Sequence, residues 1–416
     1  MPLQHILFLL FLATKPFYLF PSGGLQLSDL FFVASCFYFV LIVKKGDKIE
    51  IDKTDKPLFL FVVFVFIVNT VYATYYGESS FVISSLYYLY NLLIVIFFRI
   101  YAEDRRFLSS VAAVCRFNIL SQLGIYLAGL GRYYTANRYM GTFNDPNQMA
   151  FFIYISLMTA YLIAKLNHKE LHVLYHAVAI VLIFQTSSTG MLLALTVFYG
   201  VWLLTKIFTL LRRVHSVRFI LFWTAALMAL LLFSPKWNDF KESIAQSPII
   251  ERVEQKLGRM EVATDGPTNL QDRGIDRIYL YPEKTLFGAG EGMHDRFDRA
   301  VSDNEIHSTL FSILFYYGTA PTLLFLYWVV RNVRRLSIGN LAVIVSLAVE
   351  SVTLLNQRQP LFWMLFVLLQ VLAFQEIAER ERSSLPVETD YGGLLKIAKG
   401  DDWIEHSLRI DDIRDH

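Results

Sequence analysis

The chain has 416 residues, of which 55% are hydrophobic, 15% aromatic and only 18% charged, against about 25% charged in an ordinary soluble domain. This composition argues against a soluble globular enzyme. With 38 basic and 36 acidic residues, a formal charge of +2, the chain also lacks the bulk charge bias of a dedicated nucleic-acid binder.

From the N-terminus onward, stretches without Asp, Glu, Lys or Arg reach the roughly 17 to 25 residues a helix needs to cross a hydrocarbon core. These stretches, together with apolar segments interrupted by a single charge (Lys15, Asp29, Arg116, Lys206 or Glu350), predict spans at Leu3 to Phe20, Leu27 to Val43, Leu58 to Tyr76, Phe81 to Phe98, Phe107 to Leu130, Gln148 to Ala164, Leu171 to Gln185, Gly190 to Phe208, Phe219 to Phe233, Ile306 to Val330, Gly339 to Leu355 and Pro360 to Gln375. The fold class is therefore an all-α polytopic membrane protein of about twelve helices. Unbroken apolar runs, without polar alternation, exclude an outer-membrane barrel. Met1 to Phe20 lacks a basic n-region and a small-residue cleavage site, and reads as a retained first span. The uncharged stretch Leu171 to Thr205 would be roughly 52 Å long as one helix, too long for a bilayer, so Thr186-Ser187-Ser188-Thr189-Gly190 is read as a hairpin break. Cys36 and Cys115 both fall in apolar segments, which predicts buried thiols rather than a disulfide framework or a metal pair.

With the N-terminus in the cytoplasm, the short inside loops collect seventeen Lys and Arg residues and the short outside loops only Arg132, Arg138 and Arg358. This is a strong positive-inside asymmetry, and it places both termini in the cytoplasm. The spans then divide the chain into 1–233, a large extracytoplasmic loop domain 234–304, spans at 305–376 and a cytoplasmic tail 377–416. The large loop carries ten basic and thirteen acidic residues. Within it, Ile249 to Met260 reads as an amphipathic helix, and the tail as a loosely ordered extension. An impermeant thiol reagent applied to intact cells should modify single cysteines placed in 234–304 and spare one at position 48; labelling at 48, or none in the loop, would overturn this topology.

Five groups of residues carry potential chemistry. Arg138-Tyr-Met-Gly141-Thr-Phe-Asn144-Asp145-Pro146-Asn147-Gln148 turns and then starts a helix; it is either a simple capped helix start or, with Arg132 and Arg138 on the same face, an anion site. In the long loop, Asp272-Arg273-Gly-Ile-Asp276-Arg277 sets two arginines four residues apart, on one face if helical, as surface Asp/Arg bridges or as phosphate ligands. The Pro282 to Gly292 segment that follows is a glycine-rich turn able to approach a phosphate. His307 opens the tenth span at the outer surface, either as an interfacial hydrogen-bonding residue or as an acid-base group oriented by Asp145, Glu291 or Glu305. Finally, Arg116 and Glu350 are costly in hydrocarbon and should pair with each other, unless Arg116 lines the path of an anionic lipid head group. The histidines show no ligand spacing for zinc, and no metal site is expected.

Taken together, Arg138 to Gln148, Thr186 to Gly190, Arg273 to Gly292 and Glu305 to Gly318 resemble the O-antigen ligase/polymerase superfamily, over roughly residues 130 to 330. Shared features are Gly-Thr-Phe-x-Asp-Pro-Asn opening a span, an arginine before Pro-x-x-x-x-Phe-Gly-x-Gly in a long outer loop, and a histidine opening the next span. One departure is Ser188-Thr189-Gly190, where the family often has Ser-Arg-Gly. The resemblance implies an inverting, metal-independent glycosyltransferase of the GT-C type in a bacterial inner membrane, requiring no cofactor. Its substrate would be a polyprenyl diphosphate-linked glycan among membrane lipids, with a flippase and a chain-length regulator as functional partners and no nucleic acid. His307, Arg273, Arg277 and Glu291 are the implied catalytic residues, and Arg138, Asn144, Asp145, Asn147, Arg132 and Arg116 the implied substrate-binding ones. The activity expected is polymerisation of lipid-linked repeat units. Alternatives are a ligase that moves the glycan to a lipid A core or a protein, and a lipid-linked glycan transporter; the single large outer loop and the lack of an internal repeat argue against the last.

Overall fold

The computed structural model describes residues 1–20, 25–45, 49–135, 137–213 and 269–384. In chain order the described elements are α1 (Leu3–Thr14), α2 (Leu27–Tyr38, continued by a π turn Phe39–Val43), α3 (Lys56–Tyr76), α4 (Ser80–Tyr101), α5 (Arg105–Leu127), β1 (Arg132–Thr135), β2 (Arg138–Gly141), α6 (Pro146–Leu166), α7 (Val173–Thr186) and α8 (Thr189–Arg213). After the undescribed stretch come three short helices, α9 (Asn269–Asp272), α10 (Arg277–Leu280) and α11 (Pro282–Phe287), a 3-10 turn His294–Arg296, and then α12 (Thr309–Tyr317), α13 (Thr319–Val333), α14 (Ile338–Thr353) and α15 (Pro360–Ser384). Met1–Glu376 forms one compact unit and Ile377–His416 a second, whose described residues 377–384 are helical. The expected ninth span, the Ile249 to Met260 helix, residues 234–268 of the large loop and residues 385–416 of the tail lie outside the described residues.

Six described helices are long and apolar enough to cross a membrane: α3, α4, α5, α6 and the greater parts of α8 and α15. Their burial shows where each sits. In α6 89% of the apolar window is enclosed by protein, whereas in α3 and α8 the figures are 28% and 22%. Thus α6 is the central post, and α3 and α8 turn aliphatic faces outward, as a helix in contact with lipid tails can do without a polar cover. Local chemistry sets the ends. Asp104 caps α5 by accepting from Arg106 N at 2.8 Å, Gly77 closes α3 with φ +72°, and Ser187 ends α7 in the left-handed region at φ +51°, so the hairpin break falls where the polar quintet predicted it.

Loops assigned to opposite sides meet at opposite ends of the bundle. At one end, Thr142 donates to Pro16 O (2.6 Å), Asn144 to Phe20 O (3.0 Å) and Arg358 pairs with Glu291 (2.6 Å). At the other, Arg99 pairs with Asp55 (2.5 Å), Arg105 donates to Leu166 O (3.0 Å) and Glu376 accepts from Ser337 N (2.9 Å). Asp55, 1% exposed, also accepts from Trp328 Nε1 at 2.9 Å, so this charge is fully hydrogen-bonded where burial would otherwise disfavour it.

Several expectations are corrected. The first span ends at Thr14, because Pro16 cannot extend the hydrogen-bond ladder and Lys15 turns to Asp29 at 2.8 Å. A two-stranded antiparallel hairpin, Arg132–Thr135 with Arg138–Gly141, precedes α6 where only a loop was expected. The tenth span is broken into α12 and α13 at Gly318, φ +85°. Arg116 and Glu350 do not pair: Arg116 Nε donates to Ala112 O on its own helix at 3.2 Å and lies over the Tyr175 ring at 5.8 Å, while Glu350, wholly buried, accepts from Asn356. Lastly, Arg273 and Arg277 do not share a helical face, since Gly274 at φ +68° separates α9 from α10.

Candidate functional site

The segment before α6 is a built turn. Gly141 sits at φ +57° with Gln122 Oε1 only 2.5 Å from where a Cβ would be, so a side chain there would collide. Thr142 accepts from Gln122 Nε2 at 2.8 Å, and exposed Arg132 donates to Thr142 O (2.7 Å) and Phe143 O (2.9 Å). Asp145 Oδ1 accepts from Asn147 N (2.7 Å) and Gln148 N (3.1 Å), an N-cap contributing about 1 kcal/mol. Arg132, Asn144 and Asp145 are therefore occupied in shaping the turn. Arg138 and Asn147 point elsewhere.

These two residues line a cavity of about 180 Å³ together with the Ser187-Ser188-Thr189-Gly190 start of α8, Arg273, Thr353 and Leu354. Arg138 donates to Asn147 Oδ1 (3.2 Å) and Thr186 O (3.3 Å), and Arg273 donates to Thr353 O. At Gly190 a Cβ would lie 2.5 Å from Thr353 Oγ1, so glycine allows α8 and α14 to approach closely behind the cavity. Burial pushes the Arg273 guanidinium below its ordinary value, as expected for a cation removed from water. Two guanidinium groups, several hydroxyls and the amide end of a long helix thus face one small space, an arrangement suited to a multivalent anion.

The glycine-rich segment has a different task. Ala289 N donates to Phe315 O (3.0 Å) and Gly290 N to Tyr316 O (2.8 Å), so these amides cap the end of α12 rather than face a ligand. A Cβ on Gly288 would meet Tyr316 O at 2.9 Å, and one on Gly318 would meet Leu286 O at 2.7 Å; the two glycines let the segment dock against the break between α12 and α13. Arg277 is wholly buried. It donates to His294 O (3.1 Å) and Ser302 O and lies 5.0 Å from the Phe297 ring, which makes it a strut for the 294–302 loop and keeps it out of the cavity that holds Arg273. Glu291, only 1% exposed, accepts from Tyr317 OH at 2.6 Å and pairs with Arg358.

His307 is exposed and lines a second, more open pocket of about 380 Å³ with His294, Asp295, Asp303, Asn304 and Glu305. Its backbone N–H donates to Arg273 O at 3.0 Å, so one peptide contact joins the acidic pocket to the basic cavity. Arg116 lines neither space. Sequence reasoning missed Arg358, which bridges Glu291 and Glu305 at 2.6 and 2.7 Å; its only signal was a charge in a polar stretch between two apolar spans, on the side that carries few. It also gave the α8 start no role. Compared with protein-family models and with curated proteins, the chain matches none.

His294 carries a pH consequence. Burial holds its imidazole below the usual 6.5, against the opposing pull of Glu291 and Glu305, and its Nδ1 lies 3.0 Å from Tyr316 OH. The unfolded chain therefore takes up this proton first, so stability is level at higher pH and falls as pH drops from about 6.5 toward the depressed value. Unfolding midpoints measured at about pH 7.5 and 5.5 should differ more in the wild type than in His294→Gln; equal differences would show that other groups carry the acid sensitivity.

Proposed function

We propose that the protein is a polysaccharide polymerase of the cytoplasmic membrane, with about twelve spans in a GT-C-type arrangement and both termini inside. It transfers a growing glycan from a polyprenyl diphosphate carrier to a second lipid-linked repeat unit. The observation that carries this reading is the convergence of Arg138, Asn147, the α8 start and Arg273 on one cavity, at the bundle end assigned to the outer face. Glycosyl transfer from such a donor requires the leaving diphosphate to be neutralised, and guanidinium groups do this with bidentate bonds and without a metal ion. The missing arginine of the Ser188-Thr189-Gly190 departure leaves that role to Arg138 and Arg273. Apolar helix faces beside the cavity supply the surface for the polyprenyl chain.

Lipid-linked and surface glycans of a deletion strain test the reading. A polymerase predicts single repeat units on the surface and no long chains. Long lipid-linked polymer with none on the surface indicates a ligase instead, and an unchanged glycan profile removes the reading altogether.

A further inference from the structure

A hydroxyl that attacks an anomeric carbon must lose its proton, and the structure separates the carboxylates near the site by what each can do. Glu291 is buried, with one oxygen on Arg358 and the other on Tyr317 OH. Asp145 is a helix cap, and Asp276, wholly buried, accepts from Val301 N at 3.0 Å. Asp295 and Asp303 are exposed side chains at the pocket rim. Glu305 combines the two properties a base needs, contact with open space and a fixed position. It lines the acidic pocket, its side chain is 27% exposed, and Arg358 holds its Oε2 at 2.7 Å. Among the described residues its Oε1 meets no donor. Arg358 is itself anchored on buried Glu291 at 2.6 Å, and the Tyr87 ring lies 5.5 Å from its guanidinium. Glu305 is also two residues from His307, whose amide is bonded to Arg273 O.

We propose that Glu305 is the catalytic base that takes the proton of the acceptor hydroxyl, with Arg358 as the positioning residue that orients it. This rests on the glycosyl-transfer reading above. The acceptor oxygen bonds to the anomeric carbon while the bond from that carbon to the phosphate oxygen breaks. The electron pair leaves with the diphosphate, held by Arg138 and Arg273. The hydroxyl proton passes to Glu305 Oε1, and the neutral carboxyl then returns it to water. The charged and titratable groups around Glu305 are Arg358, His307, His294, Asp295 and Asp303, with Tyr87 and Tyr316 also within electrostatic reach and Glu291 behind Arg358.

The test uses full-length protein in liposomes, supplied with the polyprenyl diphosphate-linked repeat unit extracted from cells deleted for it. Glu305→Gln should lower kcat by on the order of 100- to 10,000-fold with the KM for this substrate little changed, and Glu305→Asp should fall between. Retention of wild-type kcat by Glu305→Gln, or a loss that falls on KM alone, overturns the assignment while leaving glycosyl transfer intact. Absence of any chain growth by the wild-type protein overturns the reading beneath it.

Discussion

Replacing Arg273 by lysine is expected to reduce turnover by on the order of 100-fold, although the positive charge is retained. One arm of this guanidinium holds Thr353 O, at the end of α14, and the same side chain lines the cavity shared with Arg138 and Asn147. A guanidinium can grip the carbonyl through one nitrogen and present a second N–H to a phosphate oxygen, because its donors diverge in a fixed plane. A lysine ammonium is a single point that must serve one or the other. Turnover of the lipid-linked repeat unit in liposomes checks the effect, with unfolding followed in parallel. A fully active lysine variant would mean that Arg273 only braces Thr353. Arg277→Lys gives the contrast: its donors serve His294 O and Ser302 O inside the fold, so the change should appear in unfolding measurements.

How much of this was legible beforehand depended on the range of the interaction. Helix positions follow from apolar runs with at most one interior charge, a local property, and the six described helices long enough to span overlap those runs. The α7 to α8 break was legible for the same reason, since Ser187 and its polar neighbours are contiguous. The break at Gly318 was not, because an apolar run from Ile306 to Val330 reads as one helix until Gly288, thirty residues earlier, docks against it. Spacing misled at Arg273 and Arg277: four residues apart puts two side chains on one face only if the helix is continuous, and Gly274 interrupts it. Arg138, Asn147 and Arg273 came from separate segments by chemical type alone, and the fold sets them around one cavity. Two of their partners, Thr186 O and Thr353 O, are backbone atoms and carry no side-chain signature. Arg358 could be counted as a charge but not placed, since its meaning lies in two carboxylates more than fifty residues before it.

That arginine supports the last expectation. Arg358→Met should destabilise the protein by about 3 to 5 kcal/mol, because it leaves a buried carboxylate without its cation. Glu291 is only 1% exposed, and the remaining hydroxyl donor, Tyr317 OH at 2.6 Å, cannot neutralise a full charge. Burial opposes the charge of the guanidinium, yet the Glu291 and Glu305 carboxylates hold it above its ordinary range. Adding Glu291→Gln to Arg358→Met removes the orphaned charge and should recover most of the loss, a coupling that a double-mutant cycle in detergent solution can measure. Glu305 is a different partner. Its side chain is 27% exposed, so solvent screens its attraction and Glu305→Gln should change stability by less than about 1 kcal/mol. The two carboxylates on one arginine thereby divide in kind: the buried one anchors the loop through residues 288–305 to the turn before α15, and the accessible one is left available for chemistry. If Glu305→Gln unfolded the protein as severely as Arg358→Met, that division would be wrong and both carboxylates would serve the fold alone.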